Sequence, residues 1–363
     1  MKLNKIIIGA MRFKDRNSAV QIIRKAIDYG FNYIDTAPCY CLKNNSENSE
    51  SWVGEAISLP LYRQKVFISA KCSPGDGGRG LGDFVPNKGF GVRTKEQLMQ
   101  VFKQSQERLK IEHIDFYHLW TTHTHEQFNS AIVQNGWYDG VMELKEKGFI
   151  KHIGITTHAD PDTIISFLST KKFEIVTIPL NVINLTRLKV VEYCSKNNIP
   201  VIAMNPLAGG FLAANSRLKE LAFRYLMTLP NVHILVGFSN INEVDYAKWI
   251  LDTSSSYKQS ADKILKKVDK LINSKEPRCT SCGYCQPCPQ NINLGACLSY
   301  YNIYKYMKIL QAKNAFLEKQ WEDGLRLDRC TLCLTCAKRC PNQLPLKEII
   351  QDAKKLLYNK ENK

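Results

Sequence analysis

KIIIGAMRFKDRNSAVQIIRKAIDYGFNYIDTA (5–37) decides the fold. A short β-rich apolar run, KIIIGA (5–10), is followed by a helix-period segment over 17–29 and then by a second run, NYIDTA (32–37). Further runs stand at VFISAK (66–71), IDFYHLW (114–120), HIGITT (152–157), EIVTIP (174–179), PVIAMNP (200–206) and HILVGF (233–238), so there are eight in all. Between them, segments such as 94–109 and 127–147 carry apolar residues on one side of a helical repeat and polar residues on the other. Strand and helix alternating eight times is the cadence of an α/β fold of the (β/α)8 TIM barrel type, in which function gathers at the C-terminal ends of the strands. A doubly wound sheet is the alternative that the same cadence allows. The glycine-rich residues 75–91 follow the third run, where a barrel places a loop over its active face, and they lack the GxxxxGK[ST] pattern of a phosphate loop.

The 363 residues exceed one average domain, and 44% hydrophobic with 23% charged content lies near the globular norm. These totals exclude a mostly disordered or fibrous chain. The N-terminal MKLNKIIIGAM has an apolar run too short for a signal peptide, and no stretch approaches the roughly 18 apolar residues of a membrane span. Thirteen cysteines in such a context point to metal or redox chemistry in a reducing compartment, with the cytoplasm as the expected location. The net charge is +16, and residues 251–363 contribute 20 Lys and Arg against 11 Asp and Glu. Two bound iron-sulfur clusters would take that tail down to about +5. The excess suits an acidic electron-transfer protein as partner, or solubility alone; no nucleic-acid or membrane partner is expected.

The organisation expected is a barrel over 1–250, a helical linker over 251–275 with a lysine-rich helix, and a small α-helical ferredoxin-like domain over 276–363. Its cysteines stand in two groups. Cys279, Cys282, Cys285 and Cys288 precede Pro289; Cys330, Cys333, Cys336 and Cys340 precede Pro341. Three cysteines spaced by two residues wrap three corners of a cubane, and in two-cluster ferredoxins the cysteine before the proline ligates the other cluster. Two 4Fe-4S clusters are therefore expected, one on Cys279, Cys282, Cys285 and Cys340, the other on Cys330, Cys333, Cys336 and Cys288. The first group has two residues before its last cysteine where the bacterial ferredoxin run has three. A tetrahedral zinc needs two pairs and leaves the third cysteine and the proline without a role. Tyr300, Tyr304, Met307 and Leu310 between the groups stand at helical spacing and predict a helix packed as core.

The strand ends hold an acid at Asp35, a phenol at Tyr40 and an amine at Lys71. A phenol donates a proton more readily beside an ammonium, and a carboxylate keeps that ammonium charged. DTAPCY (35–40) and the Lys71 that closes VFISAK resemble the aldo/keto reductase family, as do IKHIGITTH (150–158), PVIAMNPLAGGFL (200–212) and LVGFSNINEVDYA (235–247). The chain is similar, end to end, to the subset of that family with a C-terminal dicluster domain. The resemblance implies Tyr40 as general acid, Lys71 as its modulator and Asp35 as orienting partner. It also implies a nicotinamide cofactor, NADPH or NADH. Thr156 and Thr157 fall where Ser-Asn hold the carboxamide, Thr177 replaces the usual Gln, and Met204 replaces a stacking Tyr. Pro206 and Leu207 lie in the seventh-strand loop, and Gly237, Ser239, Asn240 and Glu243 in the last cofactor loop. The family histidine falls at Trp120, with His118 the nearby candidate for a catalytic role, while Glu243 stands where an arginine often grips the adenosine phosphate. Cys39, Cys41 and Cys72 adjoin the expected site as small buried hydrophobes or as redox-active thiols.

The expected function is an iron-sulfur, NAD(P)-dependent oxidoreductase acting on a small carbonyl or alcohol substrate, coupled to electron transfer through the clusters. Hydride moves two electrons and a cluster one, so the two halves either meet in a radical intermediate or serve separate steps. A non-catalytic nicotinamide-binding redox sensor or electron-transfer adaptor is the alternative.

Overall fold

The computed structural model describes residues 2–43, 47–74, 91–272, 276, 278–320 and 324–358. Eight parallel strands close into a barrel. In order they are Ile6–Gly9, Tyr33–Asp35, Phe67–Pro74, Ile114–Trp120, Ile150–Thr156, Ile175–Pro179, Val201–Met204 and Val232–Gly237. Each pairs with the next, and the first closes on the last from Ile6 opposite Ile234 to Gly9 opposite Gly237. The doubly wound alternative is thereby excluded. Strands covered on both faces read as continuous apolar runs, and all seven residues of IDFYHLW are buried accordingly. A further two-residue strand, Gly91–Val92, pairs with Ser73–Pro74. Residues 75–90 of the glycine-rich stretch lie outside the described residues.

The helices are built as the sequence dictates. Asp15 caps Arg16–Asp28 by accepting the Ser18 N–H at 2.8 Å, and the helix then buries Ala19, Ile22, Ile23, Ala26 and Ile27 at helical spacing. The single helix expected over 127–147 is two, His125–Ile132 and Trp137–Glu146. Asn135 takes a left-handed φ of 59°, and a Cβ on Gly136 would lie 2.7 Å from the Val133 carbonyl oxygen. That close approach needs glycine and breaks the helix.

Period-two alternation organises the barrel interior. Ile7, Tyr33, Phe116, Ile175 and Ile202, with Phe67 and Leu235 against them, form one apolar layer. Two residues further along the same strands stand Gly9, Asp35, His118, Thr177, Met204, Ser69 and Gly237, so one step of the pleat turns an apolar plug into a layer of polar and small residues. Room for His118 comes from Gly154 on the neighbouring strand, where an added Cβ would sit 2.4 Å from the ring. Gly154→Ala is expected to destabilise the barrel by about 1–3 kcal/mol through overpacking. Denaturant midpoints check this. Combining it with His118→Ala should cost less than the two single changes added together, and strict additivity would contradict the crowding.

The chain divides into two compact units, one of Met1–Leu180, Asn184–Met204 and Leu226–Lys258, the other of Asn181–Ile183, Asn205–Tyr225 and Gln259–Lys363. In the second, the lysine-rich helix Ala261–Leu271 is capped by Ser260 and buries Ile264 and Val268. The helix expected between the cysteine groups is a pair, Leu294–Met307 and Leu310–Lys319, parted where Lys308 turns to a φ of 57°. Leu298, Tyr301, Phe316, Leu344, Ile350 and Leu357 form the core of this unit, and six of the eight cysteines pack against it. Among the described residues no helix is long and apolar enough to cross a membrane.

Candidate functional site

Asp35 ends the second strand and Lys71 lies in the third, and the two meet inside the barrel with Lys71 Nζ 2.5 Å from Asp35 Oδ2. Both are buried, Lys71 to 1% exposure. Ser69 adds a hydrogen bond at 3.3 Å to the other carboxylate oxygen. Burial alone would lower the Lys71 pKa, but the Asp35 carboxylate and the Tyr40 phenol outweigh it and raise it. Lys71 is thus held as an ammonium. It stands 5.1 Å from the centroid of the Tyr40 ring, and Trp120 closes on that ring from the fourth strand in a T-shaped contact at 6.0 Å. The structure therefore brings Asp35, Lys71 and Tyr40 together, and Trp120 with them.

His118 lies opposite Lys71 in the strand register. Its Nε2 is 3.3 Å from the Tyr33 hydroxyl and its Nδ1 is 3.2 Å from Thr156 Oγ1. Burial first, and then the Lys71 charge, push its pKa down to about 3, so the imidazole is neutral at ordinary pH. Thr156 is in turn opposite Thr177. The Thr177 Oγ1 is buried and makes no hydrogen bond among the described residues. A buried hydroxyl without a partner is costly unless a ligand satisfies it, which fits a carboxamide held at this strand end. Thr157 is engaged within the protein, bonding the Thr122 carbonyl and accepting the Ala159 N–H at 3.0 Å.

Met204 is half-buried, Pro206 is buried and Leu207 half-buried along the loop that follows the seventh strand. In the last loop Glu243 accepts the Ser239 N–H at 2.7 Å and the Ser239 hydroxyl at 3.0 Å, while Asn240 caps the helix Ile241–Asp252 by accepting the Glu243 N–H at 3.1 Å. A carboxylate thereby occupies donors exposed at the end of the strand that finishes at Gly237.

Two of the neighbouring thiols are structural. Cys41 donates to the carbonyls of Ala10 and Phe13 at 3.6 and 3.5 Å, and burial raises its pKa. Cys72 accepts the Trp137 indole N–H at 3.0 Å and is pushed up to about 12 by burial. Such thiols stay protonated and unreactive.

The two cysteine turns repeat one backbone design. The Ser281 N–H donates to Cys279 Sγ and the Leu332 N–H to Cys330 Sγ, each at 3.4 Å. Ser281 and Gly283 take left-handed φ values of 53° and 83°, and Leu332 and Leu334 take 56° and 59°. Left-handed backbone costs about 1–2 kcal/mol for a residue such as leucine, and it turns successive N–H groups inward as an anion cradle. Burial first, and with it the thiols of Cys282, Cys285 and Cys340, pushes Cys279 up to about 12. A separate cavity is walled by Cys285, Cys288, Cys330, Cys333 and Cys336, with Ile292, Leu294 and Ile350 as its apolar lining. Eight thiols carried on two such turns are a donor set whose chemistry suits 4Fe-4S clusters. Sequence reasoning missed Asn302, which donates to the Cys279 carbonyl at 2.9 Å, and Lys354, which donates to the Cys330 carbonyl at 2.8 Å. Asn302 sits on a segment read only for apolar spacing, and the helix Leu346–Tyr358 that carries Lys354 was not singled out in the sequence. Gly154 and Tyr33 were missed beside His118, although a glycine inside an apolar strand signals close approach.

Comparisons with known proteins match the chain to two family models. The family model described as aldo/keto reductase family matches residues 5–224, and that described as 4Fe-4S dicluster domain matches residues 278–345. An uncharacterized oxidoreductase of Schizosaccharomyces pombe is 28% identical over 224 residues, 59% of this chain and 66% of its own length. The NADH-specific methylglyoxal reductase of Escherichia coli is 29% identical over 208 residues, 54% of this chain and 59% of its own. The matches thus span slightly under two thirds of these curated relatives. An aldo-keto reductase from Bacillus halodurans in its holo form superposes with a TM-score of 0.59 at 19% identity, covering 74% of this chain and 93% of that one, which is a likeness of fold.

Proposed function

The chain belongs to the aldo/keto reductase family and carries a C-terminal 4Fe-4S dicluster domain, and from that premise we propose that it is an NAD(P)-dependent oxidoreductase interconverting a small carbonyl compound and its alcohol. The reading is carried by the buried Lys71 ammonium set between the Asp35 carboxylate at 2.5 Å and the Tyr40 ring at 5.1 Å. When bound, the nicotinamide supplies hydride and the two clusters supply single electrons. Tyr40 gives its phenolic proton to the carbonyl oxygen as hydride arrives, or takes it back in the oxidative direction. Lys71 stabilises the phenolate left behind, and Asp35 keeps Lys71 charged and aimed. Thr156 and Thr177 hold the carboxamide, with neutral His118 fixing Thr156 from behind. The family resemblance further assigns Met204, Pro206, Leu207 and Gly237 to cofactor binding.

Cys279, Cys282, Cys285 and Cys340 hold one cluster, and Cys330, Cys333, Cys336 and Cys288 the other. The helical linker over 251–275 divides a barrel over 1–250 from the cluster domain over 276–363. A reducing compartment, the cytoplasm, suits the clusters, and an acidic electron-transfer protein suits the basic tail. Anaerobic titration with NADH and NADPH, read by absorbance and electron spin resonance with candidate carbonyls present, tests the whole assignment. Turnover with cluster bleaching supports coupled halves. Neither turnover nor bleaching supports the sensor reading, which Trp120 at the family histidine position favours.

NADH is the preferred form on this reading, because the Glu243 carboxylate sits on the Ser239 donors and repels a 2′-phosphate. Glu243→Arg is expected to improve NADPH binding roughly ten- to a hundredfold, the yield of one charged hydrogen bond of about 1.5–3 kcal/mol. Cofactor titrations check it, and an unchanged NADPH affinity would remove Glu243 from cofactor selection.

A further inference from the structure

The two cysteine turns differ in what covers them. At the first, Asn302 donates to the Cys279 carbonyl at 2.9 Å, Asn205 Nδ2 reaches the Thr280 carbonyl at 3.3 Å, and Gly209, at a φ of 68°, lies so close that an added Cβ would be 2.4 Å from the Thr280 oxygen. This turn is covered by protein. At the second, Lys354 makes the equivalent bond to the Cys330 carbonyl at 2.8 Å, but Thr331 and Cys333 are exposed where Thr280 is buried and Cys282 half-buried. Exposed cations flank it along the chain, Arg339 also donating to the Pro287 carbonyl at 3.1 Å. Arg329 precedes Cys330, Lys338 and Arg339 lie between Cys336 and Cys340, and Lys347 stands one helical turn before Ile350, which lines the cavity behind these cysteines. Residues 324–350 hold five Lys or Arg against two Asp or Glu. Of the two acids, Asp328 is clamped by Arg326 at 2.7 Å. No carboxylate pairs with Arg329, Lys338, Arg339 or Lys347 among the described residues.

We propose that this face, centred on Cys333 and rimmed by Arg329, Lys338, Arg339 and Lys347, is the docking site of an acidic one-electron carrier protein. The inference rests on the cluster reading above and adds which turn meets the partner. Electron transfer falls steeply with distance, so a carrier must approach the less covered turn. Unpaired cations on its rim both attract a carrier rich in carboxylates and orient it. The reduced carrier gives one electron across the face and departs oxidised by one; no bond forms and no proton moves.

The test uses the anaerobic holoprotein and, as probe, an acidic 2Fe-2S ferredoxin. Calorimetry is expected to show binding that weakens as salt rises from about 20 to 200 mM, since the exposed charges are screened over about a Debye length. Arg329→Glu, Lys338→Glu and Lys347→Glu together should weaken binding by roughly tenfold or more. The corresponding triple glutamine variant, gentler on folding, should fall between. Reduction of the clusters by photoreduced deazaflavin, a small carrier-independent donor, should be unaffected in both. Wild-type affinity in the two variants would overturn the proposal. So would failure of the wild type to bind the ferredoxin at an iron count of about eight per chain. A chain free of iron would instead sink the cluster reading beneath it.

Discussion

Tyr40→Phe is expected to lower kcat for the proposed carbonyl reduction by about 10²–10⁴-fold, the usual contribution of a positioned proton donor. The substitution is informative because it removes one oxygen and little else. The phenyl ring keeps its T-shaped contact with Trp120 and its place beside Lys71, and the threonines assigned to the carboxamide are untouched. Cofactor affinity, read by quenching of tryptophan fluorescence, is therefore expected to stay within a few-fold of wild type while turnover collapses. Changing Lys71 instead would blur the reading. It leaves Asp35 as a buried carboxylate without its ammonium, and breaking one side of a buried pair costs about 3–5 kcal/mol, enough to unfold part of a typical domain. Unchanged turnover in Tyr40→Phe would remove the phenol from the mechanism. His118 supplies no substitute acid at neutral pH, since burial holds its pKa at about 3.

Cys340→Ser is expected to reduce the iron content from about eight to about four atoms per chain and to spare the cluster on Cys330, Cys333 and Cys336. Cys340 is among the thiols that act on Cys279, whereas Cys288 walls the cavity with Cys330, Cys333 and Cys336. On the ligand sets proposed above, each turn would lend its last cysteine to the other, although Cys285 also walls that cavity. Iron and sulfide analysis with spin resonance of the reduced protein reads the outcome: one surviving cubane signal supports the exchange. Equal loss of both clusters contradicts the independent ligand sets, and two zinc atoms in place of iron would end the cluster assignment for the wild type as well.

Much of this was legible in the sequence because the relevant forces are local. Strands covered on both faces must be continuously apolar, so all eight barrel strands could be found within one to three residues of their ends. Asp35, Lys71 and Tyr40 could be singled out because they interrupt or terminate such runs with ionisable groups. What periodicity could not show was where a helix stops for steric reasons. The segment 127–147 keeps its apolar spacing across Gly136, and only the approach of the Val133 carbonyl reveals the break. The same holds at Lys308, whose left-handed turn leaves Tyr300 and Leu310 on different helices. The bonds of His118 were equally hidden. They depend on Tyr33 and Thr156, which lie 85 and 38 residues away in the chain and become neighbours only when the barrel closes.

The cavity that joins Cys288 to Cys330, Cys333 and Cys336 has a consequence for biogenesis. On the ligand sets proposed above, a nascent chain that has emerged only as far as the first cysteine turn would hold three of the thiols for one cluster and a single thiol for the other. Neither ligand set is complete until residue 336 has been made, and the Cys279 set waits for residue 340. Both sets would therefore close only after the helices Leu294–Met307 and Leu310–Lys319, which lie between the two cysteine turns in the chain, have been made.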